Sequence, residues 1–321
     1  MNNFQPLLSI CIPTWNRAKY LKLSLDSFME QIKDINLLEL ELYVSDNCSD
    51  DNTQTIVQDY INKGLPITYN RNSENIGAAR NFQKCMKWSS GKYILLLGDD
   101  DSLNPGSVKL ILDKIRDKDY GLIYMQKLKN LEGECVEFKD KEQFLKMISF
   151  QITFMSSSIF RKDILSTINY EKYIGTHLIQ VPYYIGSALS CDKNLIINQT
   201  LLNTGLDHSN NGGYNPHEVF VKNYLNIWHE FVDKGLISSK AYAWLKKDIM
   251  LRFIVHLNYK YLFLRRNVSS IKQVNSRNKF NINGSFKILY KYYGKNLYYW
   301  LSYLMFVKFY IGDLYRKLQK R

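Results

Sequence analysis

The sequence predicts an α/β protein, a mainly parallel sheet with helices on both faces, extended towards its C-terminal end by a helical, basic region. Three observations predict it. Short apolar runs alternate with stretches of helical periodicity over roughly the first 125 residues, polar residues collect where the apolar runs stop, and the balance of charge changes abruptly after residue 233.

Leu7 to Ile12 is the first apolar run, read as a buried strand and closed by the turn Pro13-Thr14-Trp15-Asn16-Arg17. Leu21, Leu25, Phe28 and Ile32 then recur at helical spacing. Leu40 to Val44 forms a second strand that ends in Ser45-Asp46-Asn47-Cys48-Ser49-Asp50. Ile56, Val57, Tyr60 and Ile61 mark a second helix, stopped at Gly64. Ile67 to Asn70 is a short third strand. Asn75-Ile76-Gly77-Ala78-Ala79-Arg80-Asn81 opens a helix that runs to Trp88. Tyr93 to Leu97, bounded by Gly91 and Gly98, is too short for a typical helix and reads as a strand buried on both faces. It leads into Asp99, Asp100 and Asp101. A helix from about Gly106 to Arg116 and a strand from Gly121 to Met125 complete the alternation.

Strand, helix, strand in succession implies right-handed crossovers and parallel pairing. Parallel strands end on the same edge. Thr14 and Asn16, Asp46 and Asn47, and Asp99 to Asp101 therefore share one rim, which is where open α/β sheets bind ligands. Taken singly, S-D-N-C-S-D reads as an Asx turn and D-D-D as an acidic turn before the helix near Pro105; their joint placement favours function. Three adjacent carboxylates raise one another's pKa unless a cation or a set of donors compensates, and a divalent metal carrying a phosphorylated substrate is the natural compensator.

Composition narrows the classes. With 321 residues, 45% of them apolar, the chain can bury a sizeable core, and it shows neither low complexity nor a fixed repeat. Cys11, Cys48, Cys85, Cys135 and Cys191 form no C-x-x-C pair, which argues for reduced thiols in a cytosolic setting and against a zinc site or a disulfide framework. The start, M-N-N-F-Q-P, lacks the features of a signal peptide, and the longest apolar stretch, Leu297 to Ile311, is interrupted by Lys308. Nineteen Lys and Arg against two acidic residues from Lys234 onward give a net of +17 there, out of +13 overall, so the preceding part is slightly acidic. The partner of such a region is an anionic membrane surface or a nucleic acid. Its tyrosines, Trp300 and snorkelling lysines favour a helix lying on a membrane. Stacking on single-stranded nucleic acid, or packing on the catalytic domain or another subunit, are the alternatives.

P-T-W-N-R, V-S-D-N-C-S-D-D-N-T, N-x-G-A-A-R-N and L-L-G-D-D-D-S-L-N-P, in that order over roughly residues 7 to 125, resemble the family 2 glycosyltransferases with the Rossmann-like GT-A fold. The resemblance implies a nucleotide-sugar site made by Pro13, Thr14, Asn16, Arg17, Asp46, Asn47, Gly77, Arg80 and Asp99. In that site Asp46 accepts from the ring nitrogen of a pyrimidine base, Arg80 lies close to the base or the phosphates, and Asp99 contacts the ribose. It implies a divalent metal, Mn²⁺ or Mg²⁺, with Asp100 as the direct ligand and Asp101 beside it. Gly98 stands where the commoner D-x-D-D form has its first Asp, which leaves open how the three aspartates divide their roles.

Beyond residue 125, Phe154 to Arg161 is similar to the serine-rich, acceptor-side strand of the family. Thr176-His177 stands where many relatives carry Glu-Asp. A neutral imidazole can take a proton from an acceptor hydroxyl, so His177 is the first candidate for the general base and Asp192 the second; a histidine held in a helix start, or a solvated turn, is the plainer reading of each. Leu195 to Leu202 reads as an apolar strand. The polar loop Asp207 to Gly213 contains His208, which could reach the metal or a phosphate, and Gly212-Gly213 offers a hinge. Helices follow, through Phe220, Tyr224, Ile227, Trp228 and Phe231, and from Ser238 or Ser239 to about Arg266. The expected division is a catalytic domain over 1–215 and a helical, membrane-associating region over 216–321.

The resemblance as a whole implies an inverting transferase that moves one sugar from a nucleoside-diphosphate donor to a lipid-linked oligosaccharide or polysaccharide acceptor. The G-D-D-D form and the Thr-His pair are similar to the branch that contains abequosyltransferases and other O-antigen enzymes of lipopolysaccharide synthesis. The expected location is cytoplasmic, peripheral on the inner face of a bacterial membrane, with no nucleic acid as partner. A sugar nucleotidyltransferase would need a glycine-rich N-terminal loop that the sequence lacks, and a non-catalytic basic binding module would leave the three strand-end motifs unexplained.

Overall fold

The computed structural model describes residues 5–204, 214–258, 284–295 and 311. The chain divides into two compact units, Met1–Asp207 and His208–Arg321.

The first unit is built on an eight-stranded sheet of order β3-β2-β1-β4-β8-β6-β9-β7. Its first half contains β1 (Leu8–Thr14), β2 (Leu40–Asp46), β3 (Ile67–Arg71) and β4 (Tyr93–Leu96), all parallel. Every residue of β1 and β2 is buried because helices cover both faces. On one face Leu8, Ile10 and Ile12 join a core with Leu21, Leu25 and Phe28 of α1 (Ala18–Gln31), Val57 of α2 (Thr53–Asn62) and Ile111 of α4 (Ser107–Ile115). On the other lies α3 (Ala78–Trp88), where the Cys11 thiol donates to the Cys85 carbonyl and the Cys85 thiol to that of Tyr43. The register brings β1 and β2 to an end together, with Leu8 opposite Leu40 and Thr14 opposite Asp46. On the other side of β1, Cys11 stands opposite Leu96, so three residues further on Thr14 comes level with Asp99.

The second half contains β6 (Leu122–Tyr124), β7 (Cys135–Phe138), β8 (Ser158–Arg161) and β9 (Asn194–Ile197). β8 runs antiparallel between β4 and β6, and β7 is an antiparallel edge. α5 (Lys141–Ile148) and α6 (Val181–Ser190) belong to this half. The serine-rich strand begins later than the sequence predicts, since residues 149–157 form 3₁₀ turns. Thr153 Oγ1 donates to the Phe150 carbonyl and Ser157 Oγ to that of Phe154, each three residues back, and such local bonds compete with a strand ladder. The predicted strand Leu195 to Leu202 is two strands in different sheets. β9 is in the main sheet, while β10 (Leu202–Asn203) pairs with β5 (Ser102–Leu103), just after the aspartates.

In the second unit a π-helical turn, Glu218–Asn223, leads into α7 (Tyr224–Asp233), which buries Tyr224 and Trp228. Ser238 caps α8 (Ser239–Ile249) by accepting from the Ala241 amide at 3.1 Å, as its place before the helix predicts. A further π-helical turn continues α8 towards Asn258, and another helix covers Ser285–Tyr293. The predicted run to Arg266, the loop Asn267 to Asn283 and most of the aromatic, basic tail lie outside the described residues. Among those described, no helix is long and apolar enough to cross a membrane.

Candidate active site

The rim where β1, β2 and β4 end is assembled from the polar residues that follow each strand. The Asn47 amide donates to the Thr14 carbonyl at 2.9 Å, which continues the pairing of β1 and β2 one residue into the loops. Asn16 and Cys48 then both take positive φ, 52° and 66°. Asn tolerates that region; for Cys it is a local strain, and the cross-braces between the two loops hold it. The Asn16 amide donates to Ser49 Oγ at 2.9 Å, and the Asp50 amide to Asn16 Oδ1 at 2.7 Å. Asn16 therefore acts as a strut between the loops. Pro13 is buried within β1, opposite Ser45.

Asp46 is fully buried. Its Oδ1 accepts from the Ser49 amide at 2.8 Å and its Oδ2 from the Tyr69 hydroxyl at 2.7 Å, with Arg71 Nε 3.8 Å away. Burial, and then the bond to Asp46, push the Tyr69 hydroxyl far above its ordinary pKa. Behind these residues lies a lattice of asparagines. Asn47 Oδ1 accepts from the Ile76 amide and from Asn72 Nδ2, both at 3.0 Å, and Asn47 Nδ2 donates to Asn75 Oδ1 at 2.7 Å. Asn81 Oδ1 accepts from Ser45 Oγ at 2.7 Å and from Asn72 Nδ2 at 3.0 Å, and Asn81 Nδ2 returns a bond to the Ser45 carbonyl at 2.9 Å. The lattice fixes the loop that reaches Gly77, whose φ of 82° starts α3. Arg80, in the first turn of α3, lies against Glu171 at 3.3 to 3.4 Å, both more than half exposed. A pair so exposed is held weakly and is easily exchanged for another anion.

The aspartates divide between two neighbourhoods. Asp99 Oδ2 accepts from Thr14 Oγ1 at 2.7 Å. Asp99 Oδ1 lies 3.0 Å from Arg17 Nε, and Asp100 Oδ2 lies 2.8 Å from a terminal nitrogen of the same guanidinium. Burial pushes the Asp99 carboxyl up to about 7; Arg17 and Thr14 pull it down, and Asp100 and Asp101 add to the rise. Asp101 is buried and accepts from Ser156 Oγ, which itself accepts from the Gly98 amide at 3.0 Å. Asp101 thus helps to seal the turn that presents Asp99 and Asp100. A Cβ at Gly98 would stand 3.0 Å from Asp101 Oδ2 and 3.2 Å from Asp100 Oδ1, so a larger residue there would require both carboxylates to shift by a few tenths of an ångström.

Among the described residues no cluster of three or more His, Cys, Asp or Glu side chains is placed to hold a metal ion. The pair Asp99 and Asp100 nevertheless suits one. Each points an oxygen at a single positive centre, and Mg²⁺ in phosphoryl sites is held by one or two carboxylates, with substrate phosphates completing the shell.

His177 is exposed, at a φ of 60°, just before α6. That end of α6 is anchored on the rim side: Gln180 Nε2 donates to the Thr153 carbonyl at 2.7 Å and the Tyr184 hydroxyl to that of Met155 at 2.6 Å, next to Ser156. The second candidate base, Asp192, needs correction. It precedes β9, which runs parallel to β6, and its neighbour Lys193 accepts from the amide of Gly121 at the start of β6. That puts Asp192 at the opposite edge of the sheet, a strand's length from the aspartates. His208 lies outside the described residues. A cavity of about 850 Å³, lined by residues including Lys87, Lys92, Lys162 and Tyr183, lies beside the starts of β1 and β4, and its lining also includes Glu171, the partner of Arg80.

Sequence reasoning passed over Tyr69, Asn72 and Ser156. Tyr69 is one residue of a short strand and Ser156 one serine of three, so neither pattern marks which side chain meets an aspartate. The signal available was Asn81, which closes the motif opened by Asn75 and is only 2% exposed.

Residues 9–172 match the family model described as glycosyl transferase family 2. Among curated proteins, the abequosyltransferase RfbV of Salmonella typhimurium is 32% identical over 198 residues, 53% of this chain and 57% of that one. The poly(ribitol-phosphate) β-N-acetylglucosaminyltransferase TarS of Staphylococcus aureus is 30% identical over 47% of this chain and 25% of its own. Among solved structures, residues 1–349 of S. aureus TarS in complex with UDP-GlcNAc superpose with a TM-score of 0.60 at 19% identity, over 89% of this chain and 80% of that one. The mannosyltransferase PcManGT of Pyrobaculum calidifontis, in complex with GDP-Man and Mn²⁺, superposes with a TM-score of 0.53 at 14% identity, over 78% and 71%. At those identities the likeness is one of fold.

Proposed function

The chain belongs to glycosyl transferase family 2, with a GT-A-like sheet, and on that premise we propose that it transfers a single sugar, with inversion, from a nucleoside-diphosphate donor to a lipid-linked oligosaccharide or polysaccharide. One observation carries the reading: where β1 and β4 end, Thr14 donates to Asp99 and the Arg17 guanidinium ion-pairs with both Asp99 and Asp100, beside Asp46 at the end of β2. A nucleotide lies along such a rim, with its base towards Asp46 and Asn47, its ribose towards Asp99 and its diphosphate towards Arg17 and Asp100.

Asp100 and Asp99 would hold the divalent ion, Mn²⁺ or Mg²⁺, which when bound supplies positive charge to the departing nucleoside diphosphate. Arg17 adds a fixed positive charge at the same place, and Arg80 can leave Glu171 for the donor. On the acceptor side His177, unhindered by burial, takes the proton from the attacking hydroxyl. Direct attack by that hydroxyl on the face opposite the leaving group inverts the anomeric centre. The abequosyltransferase relative supports an acceptor of the O-antigen type, and the excess of Lys and Arg after residue 233 supports attachment to the anionic inner face of a bacterial membrane.

The test is a donor screen by thermal shift with UDP, CDP, GDP and dTDP, each with and without Mn²⁺, on wild type and Asp100→Ala. The expected outcome is stabilisation by one nucleotide that requires Mn²⁺ and is lost in Asp100→Ala. No shift with any nucleotide would refute the reading, and the aspartates would then be an acidic turn.

A further inference from the structure

The two carboxylates that face the donor are held by a cation of the chain itself. Arg17 is the last residue before α1, and its side chain is 18% exposed. Its Nε lies 3.0 Å from Asp99 Oδ1 and a terminal nitrogen 2.8 Å from Asp100 Oδ2, so one planar group spans both residues. The Tyr20 ring, with its centroid 5.0 Å from the guanidinium carbon, gives the same group a second support one turn along α1. Thr14 holds Asp99 Oδ2, so an ion shared by the two aspartates draws on Asp99 Oδ1, the oxygen beside Arg17 Nε.

A divalent ion that takes oxygens from Asp99 and Asp100 must turn the guanidinium out, and the guanidinium then needs another anion in a partly buried turn. A donor diphosphate offers it a bidentate partner in exchange for the carboxylates, whereas a diphosphate arriving without metal meets Asp99, Asp100 and the buried Asp101 with no added positive charge to offset them. We propose that Arg17 is a resident counter-ion that competes with a divalent metal for Asp99 Oδ1 and Asp100 Oδ2, so that metal is taken up tightly only together with the donor, whose phosphates receive the displaced guanidinium. The proposal rests on the reading of the rim as a nucleotide-sugar site. It makes Arg17 the residue that couples metal to nucleotide, a positioning role in addition to any contact with the donor. Because coupling of two ligands is reciprocal, Mn²⁺ must strengthen nucleotide binding by the factor by which the nucleotide strengthens Mn²⁺ binding.

The experiment is a Mn²⁺ titration followed by the electron paramagnetic resonance signal of free Mn²⁺. It uses the full chain, alone and saturated with the nucleoside diphosphate selected by the donor screen, in wild type, Arg17→Gln and Arg17→Lys. In wild type the nucleotide is expected to tighten Mn²⁺ binding by at least about tenfold, in keeping with a unit charge a few ångströms away. Arg17→Gln is expected to bind Mn²⁺ without nucleotide at least about tenfold more tightly than wild type and to lose most of the nucleotide's effect, whereas Arg17→Lys keeps the charge and stays within about threefold of wild type. Equal Mn²⁺ affinity in Arg17→Gln and wild type, or no nucleotide effect in wild type, would overturn the proposal. The wild-type measurement stands alone if Arg17→Gln does not fold. Nucleotide binding by equilibrium dialysis with and without Mn²⁺ separates the two levels. Binding with no link to Mn²⁺ or Arg17 defeats this inference alone, and no binding of any nucleotide under either condition defeats the proposed function with it.

Discussion

The two halves of the main sheet place their polar groups by different means. Along β3-β2-β1-β4 the strands run one way, β1 and β2 end level, and the polar side chains that follow them bond to one another: Asn16 to the β2 loop, Asn47 to Asn72 and Asn75, Thr14 to Asp99. Along β8-β6-β9-β7 the directions are mixed, with β8 and β7 running against β6 and β9, the strands are three or four residues long, and Thr153 and Ser157 bond to carbonyls of their own turns. The first arrangement fixes ligand-facing groups from several sides at once. The second leaves His177 exposed on a left-handed residue, suited to meeting a larger and more variable molecule.

That contrast can be broken most directly at Asp100. Asp100→Ala is expected to lower kcat/KM by about 10³ while the melting temperature changes little, because a charge-stabilising group is lost from a partly exposed turn. The next effect is on pH dependence. The folded-state pKa of Asp99 is raised to about 7 from 3.8, so the folded chain takes up a proton in that window; the stability contributed by Asp99 is full below about 4 and is lost as pH rises through 7. Denaturation of Asp99→Asn and wild type at pH 4 and pH 8 is expected to shift the difference in favour of the variant by about 2–4 kcal/mol. On the acceptor side, His177→Gln is expected to reduce kcat by about 10² with unchanged nucleotide affinity. A parallel loss of nucleotide affinity would mean that the two halves do not act separately. Asn81→Leu removes the partner of Ser45 and Asn72 and is expected to destabilise by about 2 kcal/mol in urea, against about 1 kcal/mol for Gln180→Leu, which removes a single bond to Thr153. Smallest of all, His177→Gly relieves the positive φ and is expected to stabilise by less than about 1 kcal/mol while activity is lost.

The same contrast separates what could be read in the sequence from what could not. The strands and helices up to Met125 were legible because, the partly exposed edge strand β3 apart, each was buried on both faces or carried a clear helical stripe, and parallel pairing then put Thr14, Asp46 and Asp99 on one rim without further information. Bonds between side chains were not legible. No pattern shows that Tyr69 reaches Asp46, that Ser156 reaches Asp101, or that Arg17 spans two aspartates, since these follow from register and from the turn at Gly98. In the second half even the elements were obscured. β7, α5 and α6 had no reading, and Leu195 to Leu202 looked continuous because its apolar residues do not reveal that the chain leaves one sheet for another. Asp192 looked like a rim residue only because a polar loop carries no mark of the strand end to which it belongs.

The position of β8 has a consequence for the order in which the chain must be made. It occupies the space between β4 and β6 but is encoded after both, so a nascent chain that has emerged as far as Met125 carries β4 with one edge unpaired. Such an edge can add a strand from a neighbouring chain. The ribosome must deliver a further 36 residues, to Arg161, before that edge is closed and Ser156 can lock Gly98 and Asp101. The aspartate turn therefore gains its Ser156 brace only after the segment with the most recognisable motifs has left the ribosome.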